Sequence, residues 1–298
     1  MMTLTRSFTM SLCLLLVLLP VAVSANFDGA IKITAPETVG IGQPFLVHFT
    51  FPSSVKDLEV QWNGHSLHPA IESEGGNFSS TVLLGTSLTT NSAIYPLDIK
   101  GVFNGTIVHE QRKIKIVTHK YQRETLSVEP SKIKPPKSVS ERINKERELL
   151  LEAIRTISPK RMWTAPFSLP VKGKMLSRFG LYRVFNKDVK RRHKGLDFRA
   201  YLGTPICAIA PGKVVLVGDF YFAGNCVLID HGNGVVSMSV HMSKVLVKEG
   251  NFVNRGQKIG LSGSTGRATG AHLHLSVFAQ GVSIDPEPLF KMSESDFK

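Results

Sequence analysis

Short apolar runs, in which apolar and polar residues partly alternate, recur through most of the chain, and turn-forming residues separate them. The first series lies between residue 27 and about residue 118 and includes the runs PFLVHFTF and LEVQW. Turn-forming sequences such as GIGQP, WNGH and FNG separate the runs of this series. Alternation with a period of two is typical of strands that bury one face. Strands at this spacing predict a small β-sandwich of immunoglobulin-like type over residues 26–118.

A second series of short β runs begins at about residue 166, where glycine becomes frequent. It includes KVVLVGDF, NCVLID and HLHLSVF, and the HGNG sequence at 231–234 is typical of a hairpin turn. We expect His231, in this turn, to have a structural role. The pattern predicts a mainly antiparallel β domain over residues 166–290, followed by a C-terminal tail, residues 291–298.

A basic segment and one helix connect the two β regions and together make up residues 119–165. Residues 119–137 contain several prolines and predict a linker or an extended wrap. SVSERINKERELLLEAI, residues 138–154, predicts a helix, with Ser138 and Glu141 as a capping box. Three of its apolar residues form a stripe that should pack on a neighbouring domain, namely Ile143, Leu150 and Ile154.

The N-terminal sequence, MMTLTRSFTMSLCLLLVLLPVAVSANF, has the three parts of a secretory signal peptide. Arg6 supplies the positive charge, residues 12–19 are apolar, and small residues precede a cleavage point after Ala25. The alternative is an uncleaved anchor helix, but the apolar run is short for a membrane span. We therefore predict a signal peptide over residues 1–25, export, and no stable membrane span after cleavage.

The chain is basic, with a formal net charge of +13. Such a charge favours an anionic partner, which could be a cell-wall polymer, a membrane surface or a nucleic acid. The charge alone does not distinguish among these three. No nucleic-acid-binding motif accompanies the basic clusters, so we expect no nucleic-acid partner. Beyond residue 25 the cysteines are Cys207 and Cys226, for which a disulfide and two buried thiols are both open.

Two histidine patterns could carry chemistry. His193 and Asp197 lie four residues apart in HKGLD, and His272 and His274 lie two apart in HLH. On a strand both spacings project side chains to one face, so neighbouring strands would bring imidazoles and a carboxylate together. Such a set suits zinc with one position open to water, and His241 in SVHMS could join it. Each pattern alone is a weak signal. The basic and glycine neighbours of His193 indicate an exposed edge.

Taken in order, these motifs resemble those of the M23 metallopeptidases, the lysostaphin or LytM type. The resemblance runs from about Phe167 to Phe290 and rests on HxxxD, the GTP turn at 203–205, HGNG, the glycine-rich run SGSTGRATG and HLH. It implies a zinc-dependent endopeptidase that hydrolyses peptide cross-links of bacterial peptidoglycan. It also implies a β-sheet groove that the site lines.

The resemblance implies a role for each residue of the two patterns. His193, Asp197 and His274 match the zinc ligands, whereas His241 and His272 match catalytic histidines beside the metal. The implied partner is the peptide stem of peptidoglycan, and the layout resembles that of proteins of the periplasm or cell envelope.

The alternative is a non-catalytic wall-binding activator or scaffold for other cell-wall hydrolases, against which the complete ligand set counts. The sequence leaves open which cross-link is cleaved, whether the N-terminal domain inhibits or recruits, and the oligomeric state.

Overall fold

The computed structural model describes residues 31–53, 55–126, 135–185 and 189–294. The predicted signal peptide and the end of the predicted tail lie outside these ranges. The described part contains 22 strands and one α-helix, which confirms the predicted mainly β fold. No helix in these ranges has the length and apolar character needed to cross a bilayer.

The N-terminal part forms two sheets from nine strands. The strands are β1 Lys32–Thr34, β2 Thr38–Gly40, β3 Pro44–Phe51, β4 Lys56–Trp62, β5 His65–Leu67, β6 Glu72–Glu74, β7 Asn77–Gly85, β8 Ile94–Phe103 and β9 Thr106–Val117. One sheet has the order β1-β3-β7-β6 and the other the order β2-β9-β8-β4-β5. All pairings are antiparallel except that of β2 with β9.

An apolar core fills the space between these two sheets. On β3, alternate residues such as Phe45, Val47 and Phe49 point into it, as the period of two predicts. Trp62 packs edge-on against Phe45 with ring centroids 5.1 Å apart, and its Nε1 donates to the Gly85 carbonyl at 2.8 Å. The two packed sheets agree with the predicted sandwich, and its immunoglobulin-like type stays a prediction.

The C-terminal part is built on one large sheet. Its strands are β11 Met175–Ser177, β14 Leu196–Arg199, β15 Pro205–Cys207, β16 Gly212–Phe220, β17 Gly224–Asp230, β18 Val235–Val245, β19 Phe252–Val253, β20 Lys258–Ser262, β21 His272–Ala279 and β22 Val282–Ile284. The main order is β11-β14-β21-β18-β17-β16-β19. β20 joins β15 to β18, and β22 pairs with β21. The antiparallel pairing predicted for this region is confirmed.

The connecting segment contributes a strand as well as a helix. Its strand, β10 Arg123–Leu126, pairs in parallel with β12 Tyr182–Phe185, which in turn pairs with β13 Val189–Arg192. This pairing agrees with the extended-wrap alternative.

The helix, α1 Ser140–Ile154, is confirmed, but the capping box is wrong. The cap position is Val139, which has no capping side chain, because Ser138 lies in a preceding 3-10 turn.

The predicted packing of the helix stripe is confirmed for Leu150 and Ile154, whereas Ile143 is half-buried and lies outside the described cluster that they join. Leu150 and Ile154 pack on one face of the large sheet, against a cluster that includes Cys226, Val240 and Phe278. This is the face on which Asp197 and His274 also lie, since strand alternation places residues 274, 276 and 278 on one side of β21. The helix and the candidate site therefore lie on the same side of the sheet.

The two β regions share a continuous apolar core. Leu46 and Leu83 lie on the face of their sheet that points away from the sandwich interior, and both belong to the core of the C-terminal part. Polar contacts reinforce this junction: Gln280 Nε2 donates to the Leu83 carbonyl at 3.1 Å, and Gln43 Nε2 donates to Asp285 Oδ2 at 3.1 Å. The sandwich is thus packed directly against the large sheet rather than tethered to it.

Cys207 and Cys226 are free thiols, so the open question of a disulfide between them is answered in favour of separate thiols. Cys226 is fully buried under helix α1, and burial raises its thiol pKa to about 12. Cys207 is half-buried on β15.

His231 is completely buried in the turn between β17 and β18. This burial agrees with the structural role that the sequence predicts for it. Its Nδ1 donates to the Pro211 carbonyl at 2.7 Å, so its Nε2 is left to accept from the Ser237 hydroxyl at 2.8 Å. Both bonds are made by the neutral ring. Burial lowers the pKa of His231 to about 4.

Acid should therefore destabilise the fold through His231. Between pH 6.5 and about 4 the unfolded chain binds a proton at this histidine and the folded chain does not, so the free energy of unfolding falls as the pH falls. The contribution is complete above pH 6.5 and decreases by about 1.4 kcal/mol per pH unit, or roughly 3 kcal/mol in all. Urea unfolding of the wild type and His231→Gln at several pH values measures it. Equal slopes in this pH window for both proteins would contradict the assignment.

Candidate active site

The strands that carry HKGLD and HLH are neighbours in the large sheet. β14 pairs with β21 so that Asp197 stands opposite His274 and Arg199 opposite His272. On the other side of β21, His274 stands opposite Val240 of β18, which places His241 next to the pair. The convergence that the spacing predicts is thus present in the structure.

Three of these side chains direct one atom each to a common point. His193 Nε2 lies 3.1 Å from Asp197 Oδ1 and 3.0 Å from His274 Nδ1, and His274 Nδ1 lies 2.8 Å from Asp197 Oδ1. Ligand atoms of a tetrahedral zinc site stand about 3.3 Å apart, given metal–nitrogen bonds near 2.0–2.1 Å. Two imidazoles and one carboxylate at these separations fit a divalent metal, and they form the cluster that could hold one among the described residues.

The hydrogen bonds of His193 and His274 leave the lone pair of the nitrogen that faces the cluster available to a metal. His193 Nδ1 donates to the Arg178 carbonyl at 2.8 Å, so Nε2 keeps its lone pair. His274 Nε2 contacts Ser276 Oγ at 2.9 Å, and that hydroxyl donates to the Lys194 carbonyl at 2.9 Å. The serine oxygen therefore accepts from His274, whose Nδ1 keeps its lone pair. Outer partners of this kind fix the orientation of metal-binding histidines.

His241 and His272 lie beside this cluster and outside it. Their ring centroids are 4.9 Å apart, and the His241 centroid is 6.4 Å from that of His274. His272 Nδ1 donates to the Gly270 carbonyl and His241 Nδ1 to the Thr265 carbonyl, each at 2.8 Å. Each ring therefore has a free Nε2, and that of His272 lies 3.9 Å from Asp197 Oδ1, one step outside the three-atom cluster.

The protonation states suit a metal site. Burial raises the pKa of Asp197, but hydrogen bonds and charge from His193 and His274 outweigh it and hold the pKa well below its usual range. Burial lowers the pKa of His274, and it lowers that of His241 to about 4. At neutral pH the cluster thus contains an ionised carboxylate, and His241 and His274 are neutral imidazoles that can act as acceptors or ligands.

Sequence reasoning missed the residues that hold these side chains. Gly195, inside HKGLD, packs on the ring of His274, and a Cβ there would stand 2.7 Å from His274 Nε2. Ser276 is the hydroxyl that orients His274. The expected exposed edge is wrong for the His193 side chain, which is buried, although its neighbour Lys194 is exposed. Gly195 in HKGLD was the only feature of the sequence that indicated such a close approach of the backbone to the His274 ring.

Comparison with known proteins identifies this part of the chain. Residues 191–286 match the sequence model of peptidase family M23, and these residues belong to that family. A peptidoglycan DD-endopeptidase of Vibrio cholerae, ShyA, is 48% identical over 89 residues, which is 30% of this chain and 21% of ShyA. The DD-carboxypeptidase/endopeptidase Mpg of Neisseria meningitidis is 43% identical over 96 residues, which is 32% of this chain and 22% of Mpg. The matches thus span about a fifth of the length of these relatives.

The likeness to one solved structure extends further along the chain. A crystal structure from Pseudomonas aeruginosa, described as a peptidase M23, is 29% identical and superimposes with a TM-score of 0.59. It covers 80% of this chain and 94% of the other, so the likeness reaches beyond residues 191–286.

Proposed function

We propose that this member of peptidase family M23 is a zinc-dependent endopeptidase that hydrolyses peptide cross-links of bacterial peptidoglycan. The observation that carries the proposal is the convergence of His193 Nε2, Asp197 Oδ1 and His274 Nδ1, with two further histidines beside them. ShyA is named a peptidoglycan DD-endopeptidase, which supports the substrate class, and Mpg is named a DD-carboxypeptidase/endopeptidase, which supports the type of reaction. The signal peptide predicted over residues 1–25 supports a place in the periplasm or cell envelope.

His193, Asp197 and His274 are the proposed metal ligands. A zinc ion held there would supply Lewis-acid polarisation of the scissile carbonyl and a lowered pKa for a water molecule. The protein's part is to fix three donors, to keep Asp197 ionised, and to orient the metal-facing nitrogens of His193 and His274 through the Arg178 carbonyl and the Ser276 hydroxyl. Three protein donors would leave a fourth coordination position for water, and His241 and His272 lie next to these donors.

His241 and His272 are the proposed catalytic residues and move protons. With Nδ1 bonded to the Gly270 carbonyl, His272 can accept a proton at Nε2 from the attacking water and pass it to the leaving amine. Its cation would be stabilised by the Asp197 carboxylate, whose nearer oxygen lies 3.9 Å away. His241 is fixed by the Thr265 carbonyl, and its ring centroid lies 4.9 Å from that of His272, so it can contact the substrate oxygen or the proton in transit.

Digestion of purified sacculi by the mature protein tests this function. We expect release of muropeptides whose masses correspond to hydrolysed cross-links, together with loss of release when a chelator removes the metal and its recovery with zinc. The non-catalytic activator or scaffold is the competing function. Binding of sacculi without any release, by protein that contains stoichiometric zinc, would favour it and contradict the endopeptidase.

A further inference from the structure

An arginine in the loop between β20 and β21 has no acidic partner in the part of the chain that the structure describes. Arg267 is exposed, and its guanidinium carbon stands 4.3 Å above the centroid of the Phe222 ring, in a cation–π stack. Among the described residues no carboxylate lies within ion-pair distance of it. A guanidinium group that stacks on an aromatic ring and whose N–H donors make no other hydrogen bond can bind a planar anion such as a carboxylate.

Hydrogen bonds and close packing hold the backbone around Arg267 in place. The Arg267 N–H donates to the Phe222 carbonyl at 2.9 Å, and Thr265 Oγ1 accepts from the Asn225 N–H at 3.0 Å and donates to the Met242 carbonyl at 2.8 Å. At Gly266, φ is +68° and a Cβ would stand 2.3 Å from the Gly224 nitrogen, so the loop packs on the β16–β17 turn without space for a side chain.

Helix α1 in turn holds the turn that carries Phe222. Glu146 accepts from the Tyr221 N–H at 2.8 Å, and Arg142 donates both to Glu146 at 2.6 Å and to the Asp219 carbonyl at 3.2 Å. The Tyr221 ring meets Phe222 edge-on at 5.0 Å. The helix thus supports the aromatic surface on which Arg267 rests.

The loop that carries Arg267 also fixes both proposed catalytic histidines. The Thr265 carbonyl binds His241 and the Gly270 carbonyl binds His272. Arg267 is two residues from the first carbonyl and three from the second. At no more than about 3.6 Å per residue, its Cα lies within roughly 7 Å of that of Thr265.

A second positive charge acts on Arg267. Contact of the guanidinium with the Phe222 ring partly removes it from water, and this partial burial and then the charge of Arg191 lower the pKa of Arg267. Arg191 lies on β13, two residues before His193. The two arginines therefore lie on segments that neighbour His193 on one side and His272 on the other.

We propose that Arg267 is a specificity-determining residue that binds a free carboxylate of the peptidoglycan stem peptide near the bond to be cleaved. The proposal rests on the proposed function, because stem peptides carry free carboxylates at their D-amino-acid ends and side chains. Its chemistry is a charge-assisted hydrogen bond from the guanidinium of Arg267 to that carboxylate.

Binding of uncleavable stem peptides tests the proposal without turnover. Peptides are made in which each free carboxylate in turn is replaced by a carboxamide, and each is titrated against the mature protein. For one position we expect the wild type to bind the carboxylate about tenfold more tightly than the amide. For Arg267→Gln the two forms should bind within about twofold of each other, and Arg267→Lys should retain part of the preference.

Arg112→Gln is the matched control, since it removes the same charge from the exposed face of the sandwich and should keep the full preference. Thermal melting of each variant checks that the loop remains folded. A wild type with no preference at any position, or an Arg267→Gln variant that keeps the wild-type ratio, overturns the proposal. Failure of the sacculus digestion would instead contradict the endopeptidase function and leave this binding result standing.

Discussion

Replacing His274 by alanine is expected to remove both the metal and the wall-cleaving activity. The variant keeps only His193 and Asp197 as donors, and two protein ligands do not form a zinc site of the kind that catalysis uses. Polarisation of the scissile carbonyl supplies several kcal/mol, so turnover should fall by at least about 10³-fold. Metal analysis of purified protein and muropeptide release from sacculi measure the two effects.

Two further variants make this experiment sharper. Ser276→Ala removes the hydroxyl that orients His274 and should lower zinc affinity or activity by about 10–100-fold, an intermediate result. His109→Ala removes a histidine on the outer face of the sandwich, where its Nε2 lies 3.0 Å from Asp98 Oδ1, and should change neither. Stoichiometric zinc in His274→Ala would contradict the assignment of this residue as a ligand.

Replacing His272 by alanine should separate metal binding from turnover. The ring stands outside the three-atom cluster, with its Nε2 3.9 Å from Asp197 Oδ1, so its loss leaves all three donors in place. A general acid–base group contributes typically about 10²–10⁴-fold, and we expect a loss of this size in kcat with wild-type zinc content. Steady-state cleavage of a cross-linked muropeptide, together with metal analysis, gives both values.

The contrast between the two histidines of HLH is the discriminating result. The same loss of metal in His272→Ala and His274→Ala would show that both are ligands and would contradict the division of roles. His241→Ala serves as the parallel variant for His272→Ala, because its ring is also outside the cluster and its Nδ1 is bonded to a carbonyl. It too should keep the metal and lose turnover.

Much of the fold and of the site could be predicted because both depend on periodicity. The period of two in the short apolar runs predicts strands, and the same period places the residues of HLH on one face. Helix α1 and its packing stripe were likewise visible in the sequence. Side-chain spacing does not encode which ring nitrogen is free, however, since the partners of His193, His241 and His272 are main-chain carbonyls. Every residue has such a carbonyl, so no residue type marks it.

The strand contributed by the connecting segment could not be predicted for a related reason. β10 pairs with β12 across some sixty residues, and a strand defined by a distant partner has little local signature. The failure of the capping box has a local cause: Ser138 and Glu141 have the right spacing, but the 3-10 turn at Lys137–Val139 moves the start of the helix beyond the serine.

The core shared between the sandwich and the large sheet has a consequence for protein engineering. A catalytic fragment cut near residue 160 would uncover Ile284, which packs against Gly85, and Phe179, which packs against Tyr121. It would also leave the Gln280 side chain without one of its carbonyl partners. A newly exposed apolar patch of this kind favours aggregation. Transplanting the catalytic half to another scaffold would therefore require a redesigned polar surface at this junction.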